Sequence, residues 1–287
     1  MLVFPQAFIF AAKTTPHAPA TAFPRCSVHP FSFLSLRCVN APQPDPVTAG
    51  DIAGLAKAPN PEYDPTFEFD YKMIAVHGGV FTMGCTNKKK SHDSDECPHL
   101  DTVQTFKMGI YEVSKYQWMQ VMGDNPGAFS DCFDCPAHYV SWFDVQRFIK
   151  KLNKVTGRKY RLPTEAEWEF AAKGGAQGAG ANLLYAGSNK LEQVAWYNAN
   201  SEKRLHPVGL KEPNALGIYD LSGNVREWCE DMYEGYPDCP IPHQMSLTRC
   251  CRGGSWISTW FGCRLSERMG VEPSGRYLNM GFRLAHD

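Results

Sequence analysis

Thiols, and one irregular aromatic stretch, are the parts of this sequence whose residue types could do chemistry. The chain has 287 residues and 11 cysteines, an odd number, so at least one thiol is unpaired within it. Cys132 and Cys135 make the single CxxC. A redox CxxC commonly opens a helix after a strand, whereas this one lies in a loop ahead of Pro136. It therefore predicts a local staple or two structural thiols. No second CxxC or Cys/His pair follows at zinc spacing, which argues against a structural zinc site. The aromatic stretch is the closing one, Arg252 to Asp287. It begins with Gly253-Gly254-Ser255-Trp256, ends with Gly281-Phe282-Arg283-Leu284, and has neither a helical nor a strand period between them. Irregular backbone carrying large apolar side chains is either a buried plug or a binding surface. Trp256, beside the Gly-Gly-Ser turn, is expected in the core; Trp260 and Phe261 fit either account.

Composition narrows the class. Hydrophobic residues make up 43% and charged residues 21%, as in an ordinary globular protein. A net charge of -1 and a pI near 6.7 argue against nucleic acid as a partner. No run approaches the roughly 18–20 apolar residues of a transmembrane helix. Gly and Pro are frequent, at 24 and 21 residues, and aromatics reach 13%, which favours a loop-rich α+β fold over a helical bundle. The cysteine content points to an oxidising compartment, cell surface or secreted rather than cytoplasmic.

The elements that must position the closing stretch read as follows. Residues 1–70 are rich in Pro, Ala and Thr without a sustained period, and are expected to be a disordered or targeting segment ahead of a domain over 71–287. Met73–Val76 is a strand, Gly78-Gly79 a turn and Val80–Gly84 its return, a hairpin by turn chemistry. Lys88 to Glu96 reads as a solvated loop tip rather than an ion site, and Val103 to Met108 as a half-buried strand. Ser114 caps a helix that stops at Gly123. A second helix begins at Ser141 or Asp144, with Trp142, Val145, Phe148, Ile149 and Leu152 as its apolar stripe. Thr164 caps a third, with Glu167 at the capping-box position. The segment from Gly175 to Ala215 has little secondary structure of its own, and so long a loop is functional or tied down.

These elements occur in order with GGVFTMG at 78–84, YEVSKYQW at 111–118, VSWFDVQRFIKKLN at 140–153, RLPTEAEWEFAAKGG at 161–175, GIYDLSGNVREW at 217–228, RGGSW at 252–256 and GFRLA at 281–285. Together they resemble the sulfatase-modifying-factor domain, the family of the formylglycine-generating enzyme. The resemblance implies an α+β, C-type-lectin-like fold low in regular secondary structure. It also implies oxidation of a sulfatase cysteine to formylglycine, with Cu(I) held by two cysteines. Counted from Ser255, those positions fall at Ser258 and Cys263. A hydroxyl does not suit Cu(I), so copper is not expected. An oxidase that draws on Ser255 and Cys263, with Cys250 and Cys251 just upstream, is the alternative. The resemblance further implies a structural calcium held by Asp220, the carbonyls of Gly223 and Val225, and Glu227, oxygen donors that suit a hard cation.

The closing stretch is most similar to a third branch of the family, the variable proteins of diversity-generating retroelements. Its frame of Arg252–Trp256, Cys263-Arg264, Arg268, Pro273, Arg276 and Gly281–Arg283 matches that skeleton over 253–283. Variable positions in that branch derive largely from Asn codons by adenine mutagenesis. Ile257, Ser258, Thr259, Phe261, Gly262, Gly270, Val271, Gly275, Tyr277 and Leu278 fit that origin, with Asn279 as an unchanged Asn, whereas Glu267, Met269 and Glu272 do not. With Ile257–Leu278 as the recognition surface, the expected ligand-binding set is Ile257, Ser258, Thr259, Trp260, Phe261, Gly262, Met269, Val271, Tyr277 and Leu278. Aromatic side chains with Ser, Thr and Gly between them on a rigid scaffold are paratope chemistry. The expected partner is a protein or cell-surface ligand.

Overall fold

The computed structural model describes residues 69, 71–86, 92–127, 132–178, 182–237, 239, 241 and 247–287. The expected N-terminal segment lies outside these, save Phe69. So do Lys88, Lys89, Lys90 and Ser91 of the charged loop.

An antiparallel ribbon opens the fold, and it differs from the expected hairpin. Strands β1 (Met73–Val76) and β2 (Gly79–Met83) do not pair with each other. They pair with β4 (Phe106–Gly109) and β3 (His99–Val103), so that Met73 faces Gly109, Val76 faces Phe106, Gly79 faces Val103 and Met83 faces His99. The register runs unbroken across both pairs, and the chain reverses between β2 and β3 instead of at Gly78-Gly79. Gly78 is glycine for another reason. A Cβ there would lie 2.3 Å from the Val103 carbonyl oxygen, where the two strands cross from one sheet to the next. The strand expected over Val103–Met108 is likewise broken at that crossing. The loop tip is not wholly solvated either, since Glu96 is fully buried.

The helices follow the capping signals. Helix α1 (Lys115–Met122) has the Ser114/Gln117 capping box and ends at Gly123 with φ 80°. Helix α2 (Trp142–Thr156) has the Ser141/Asp144 box, and its predicted stripe is buried throughout. After β5 (Tyr160–Arg161), helix α3 (Glu165–Ala172) starts at Thr164 with Glu167 closing the box. The long segment beyond it holds two short helices, α4 (Gly175–Gly178) and α5 (Leu191–Val194).

The remaining strands are β6 (Arg226–Met232), β7 (Arg249–Arg252), β8 (Arg268–Val271), β9 (Met280–Gly281) and β10 (Ala285–His286). One four-stranded sheet has the order β1-β4-β10-β5; the other, which carries the closing stretch, has the order β8-β7-β6-β9. In the second sheet β6 and β9 are parallel and the other pairs antiparallel. Two main clusters of buried side chains form the core, one around Phe106, Trp168 and Phe170, the other around Phe148, Trp228 and Phe282. Cys97–Cys239 and Cys132–Cys135 are disulfides. The CxxC is thus the staple among the two outcomes the sequence left open. No described helix is long and apolar enough to cross a membrane.

Candidate functional site

Strands β6, β8 and β9 begin at the end of the sheet where β7 stops: Arg252 faces both Glu227 and Arg268, and Met280 lies beside Arg226. The chain leaving β7, the turn entering β6 and the chain entering β9 therefore converge. Gly253 and Gly254 turn the chain with φ of 92° and 70°. A Cβ on Gly254 would come within 2.3 Å of the Gly262 carbonyl oxygen, so only glycine lets the 254–262 loop close on itself. Inside the loop the Ser258 N–H donates to the Ser255 carbonyl at 2.9 Å, and the Ser255 N–H to the Ser258 hydroxyl at 3.0 Å.

Neighbouring segments grip the same loop by its backbone. Asn198 N–H donates to the Ser258 carbonyl at 3.0 Å and Trp256 N–H to the Asn224 carbonyl at 2.8 Å. The Ser201 hydroxyl donates to the Trp256 carbonyl at 2.8 Å. Each bond acts on a main-chain atom of the loop and is indifferent to the side chain there. Asn198, Ser201 and Asn224 were not singled out in the sequence. Asn224 completes the Gly-Asn turn of the 217–228 motif and takes φ 53°, a conformation Asn tolerates, and that was the available signal.

None of the ten expected ligand-binding residues is buried, while Gly253–Ser255, Cys263–Arg268 and Met280–Ala285 all are. Trp260 is 51% exposed and meets Phe261 edge to face at 5.6 Å. Phe261 in turn lies over the Arg264 guanidinium at 3.7 Å. Trp256, expected in the core, is half-buried at the edge of this surface, its indole N–H 3.4 Å from the Leu278 carbonyl. The ten do not form one patch. Ile257–Gly262 and Leu278 gather at the end of the sheet, Met269 and Val271 lie along edge strand β8, and Val271 and Tyr277 pack against the second core cluster.

Every arginine of the closing stretch is tied to a carboxylate outside it. Arg264 makes a two-bond pair with Glu96 at 2.6 and 2.7 Å, and Arg268 one with Glu165 at 2.5 and 2.8 Å. Arg283 holds Glu227 at 2.5 and 2.6 Å, Arg276 holds Asp144 at 2.6 and 2.9 Å, and Arg252 pairs with Glu169. Glu267 reciprocates, gripping Arg226 of β6 at 2.7 and 3.0 Å. Fork-to-carboxylate pairs of this kind fix orientation as well as position.

The metal sets implied by the resemblance fit this arrangement poorly. At the copper position the Ser258 hydroxyl is engaged in its own turn. Cys263 is enclosed by Tyr185, Leu191, Val194 and Ala195, and burial pushes its thiol up to about 12, against thiolate formation. At the calcium position both Glu227 oxygens are taken by Arg283, and one also accepts from the Trp168 indole at 2.7 Å. Asp220 accepts from Gly209 N–H at 2.6 Å through one oxygen, and only its other oxygen lacks a partner. With the Gly223 and Val225 carbonyls counted, the quartet as arranged supplies at most three oxygens, fewer than the roughly 6–8 a Ca2+ ion takes.

The family described as "Sulfatase-modifying factor enzyme 1-like domain" matches residues 58–287. The chain belongs to that family. Its solved relatives include Treponema denticola variable protein 1, with 28% identity and a TM-score of 0.64 over 75% of this chain and 94% of that one. PvdO from Pseudomonas aeruginosa matches with 27% identity and a TM-score of 0.65 over the same shares, 75% and 94%. Both bear out the α+β fold of the formylglycine-generating-enzyme type. Among curated proteins the chain is 32% identical to the chaperone protein LppX of Paenibacillus barcinonensis, over 74% of this chain and 88% of LppX. It is 33% identical to the formylglycine-generating enzyme of Streptomyces coelicolor, over 59% of this chain and 60% of the enzyme. Family membership thus leaves the role open, since a variable protein, a chaperone protein and a formylglycine-generating enzyme are all similar to this chain.

Proposed function

We propose that this family member is a binding protein that displays Ile257–Gly262 and Leu278, flanked by Met269, Val271 and Tyr277, to a protein or cell-surface ligand outside the cytoplasm. One observation carries the reading. All ten positions reach solvent, while Gly253–Ser255, Cys263–Arg268 and Met280–Ala285, which frame them, are buried. Likeness to the Treponema variable protein supports it, as do two disulfides, which persist in oxidising compartments. Apolar and aromatic side chains at the tip, with no charged residue among the ten, suit an apolar protein surface better than a polyanion.

The test is a library randomised at Ile257, Thr259, Trp260, Phe261 and Leu278. Most members are expected to fold with native disulfides, and single members to be selectable against immobilised proteins. A library in which most members fail to fold would refute a replaceable surface. In the encoding DNA, the reading expects a near-copy of the codons for 253–283, with Asn codons at the mismatched positions, beside a reverse transcriptase gene. The oxidase alternative would prevail over the binding reading if the chain bound Cu(I) stoichiometrically, lost it on Cys263→Ser and oxidised a cysteine-containing sulfatase peptide.

A further inference from the structure

Cys132–Cys135 has no part in the display reading, yet its surroundings are specific. Cys132 is half-buried and reachable from solvent, whereas Cys135 is 1% exposed. Of the two residues Cys132 is the one an external thiolate can approach, and attack there displaces Cys135. The ring they close holds other segments by its backbone. The carbonyls of Cys135 and Phe133 accept the first two N–H groups of α1, from Lys115 and Tyr116, each at 2.8 Å. The Asp134 carbonyl accepts from Val208 N–H at 3.0 Å. Just beyond, Ala137 N–H donates to the Val113 carbonyl at 2.8 Å and Tyr139 N–H to the Tyr277 carbonyl at 3.0 Å. Val113 N–H donates in turn to the Phe282 carbonyl at 2.9 Å. The staple therefore lies one or two hydrogen bonds from both ends of the segment running from Tyr277 to Phe282.

We propose that Cys132–Cys135 is a thiol–disulfide exchange site for a small or protein dithiol, with Cys132 as the attacked sulfur. A thiolate of the dithiol attacks the Cys132 sulfur, forming a mixed disulfide and releasing Cys135 as thiolate, which takes a proton. The second thiol of the reductant then attacks its own sulfur in the mixed disulfide and frees Cys132. Two electrons and two protons pass to the chain, and the dithiol leaves as a disulfide. Opening the ring loosens the backbone carbonyls that cap α1 and the Tyr139–Tyr277 bond, while the fold stays joined by Cys97–Cys239. That Tyr277 also belongs to a display surface rests on the preceding reading; the exchange chemistry does not.

The experiment treats the oxidised full chain with graded dithiothreitol, traps thiols with iodoacetamide, and maps both peptides and amide hydrogen exchange. Cys132 and Cys135 are expected to be alkylated while Cys97 and Cys239 remain joined. The amides of Lys115, Ala137, Tyr139 and Val208 are expected to exchange roughly tenfold faster, with the amides of β6 and β7 unchanged. Oxidised glutathione should add to Cys132 in the Cys135→Ser chain, and should not add to Cys135 in the Cys132→Ser chain. Loss of both disulfides together with the fold, unchanged exchange after reduction, or preferential adducts on Cys135 would each overturn the proposal.

Discussion

Arg264 and Trp260 stand four residues apart in the closing stretch, and the frame-and-surface account separates them sharply. Arg264 is 1% exposed and Glu96 is 0% exposed. Their two bonds are joined by the Ser266 hydroxyl donating to Glu96 at 2.6 Å and by Arg264 Nε–H donating to the Phe261 carbonyl at 2.8 Å. Arg264→Ala leaves the Glu96 carboxylate buried without its cation, a change that costs about 3–5 kcal/mol. For a folded unit of this size that is a fall in Tm of about 6–20 °C. Trp260→Ala removes a ring that is already half in water and makes one edge contact, so it should cost about 1 kcal/mol or less. Thermal and urea unfolding followed by circular dichroism on the two variants gives the comparison directly. The double variant Arg264→Met, Glu96→Leu should recover most of the loss, because removing both charges leaves neither one stranded. Equal costs for Arg264→Ala and Trp260→Ala, or a loss below about 1 kcal/mol for the former, would refute the division into fixed frame and replaceable surface.

Four further outcomes follow from the geometry. Burial raises the Glu169 carboxyl, but Lys173 and Arg252 outweigh it and hold it below its ordinary value. A depressed carboxyl stabilises above its unfolded pKa, and that contribution is lost as pH falls through the folded value. Glu169→Gln should therefore cost stability at pH 7, with the difference from wild type vanishing as pH falls through the depressed folded value, measured by urea midpoint. Cys97 and Cys239 close a loop with a sequence separation of 142, and removing both thiols should cost about 5 kcal/mol by loop-closure entropy, against about 2 kcal/mol for the Cys132/Cys135 pair. Because Glu227 is already paired with Arg283, calcium and EDTA should give Tm values within about 1 °C of each other by calorimetry, and a large calcium-dependent rise would restore the ion site. Gly254→Ala should cost at least about 2 kcal/mol, since its φ is 70° and its Cβ would strike the Gly262 carbonyl oxygen; an unfolding midpoint unchanged from wild type would mean the loop does not close as described.

Signals confined to a few neighbouring residues were legible in the sequence. Ser114, Ser141 and Thr164 announced helix starts because a cap acts within four residues, and the α2 stripe announced its buried face. The opening hairpin was misread because Gly78-Gly79 satisfies turn chemistry equally well when a second strand crosses there, and only the partner strand 25 residues later distinguishes the two. Glu96 looked like one more charge in a polar run; its partner, Arg264, is 168 residues away. The same holds for the Cys97–Cys239 pairing. The candidate surface was legible as a set of positions, because Gly253–Trp256 and Gly281–Leu284 frame it. Its division between the sheet end and the β8 edge was not, since that depends on strand order. Nor was the commitment of Glu227 to Arg283, which replaces a free ligand with one half of an ion pair.

A surface that tolerates substitution needs a backbone whose position does not depend on the side chains it carries, and this loop meets that condition in two ways. Its polar main-chain groups are satisfied by Asn198, Ser201 and Asn224, which bond to carbonyl and amide atoms that every residue supplies. Its flanks are held by Arg252, Arg264, Arg268 and Glu267, whose partners lie in parts of the chain far from the loop. Ser258 marks the boundary of this tolerance, because its hydroxyl closes the turn through the Ser255 N–H. Ser258→Ala should therefore destabilise the loop by about 1 kcal/mol, and Ser258→Thr should retain most of the bond. Faster exchange of the Ser255 amide in the alanine variant, with exchange at Gly281–Leu284 unchanged, would show that the turn is a local device. If Ser258→Ala left the Ser255 amide as protected as before, the hydroxyl would be free to face a ligand instead of serving the turn.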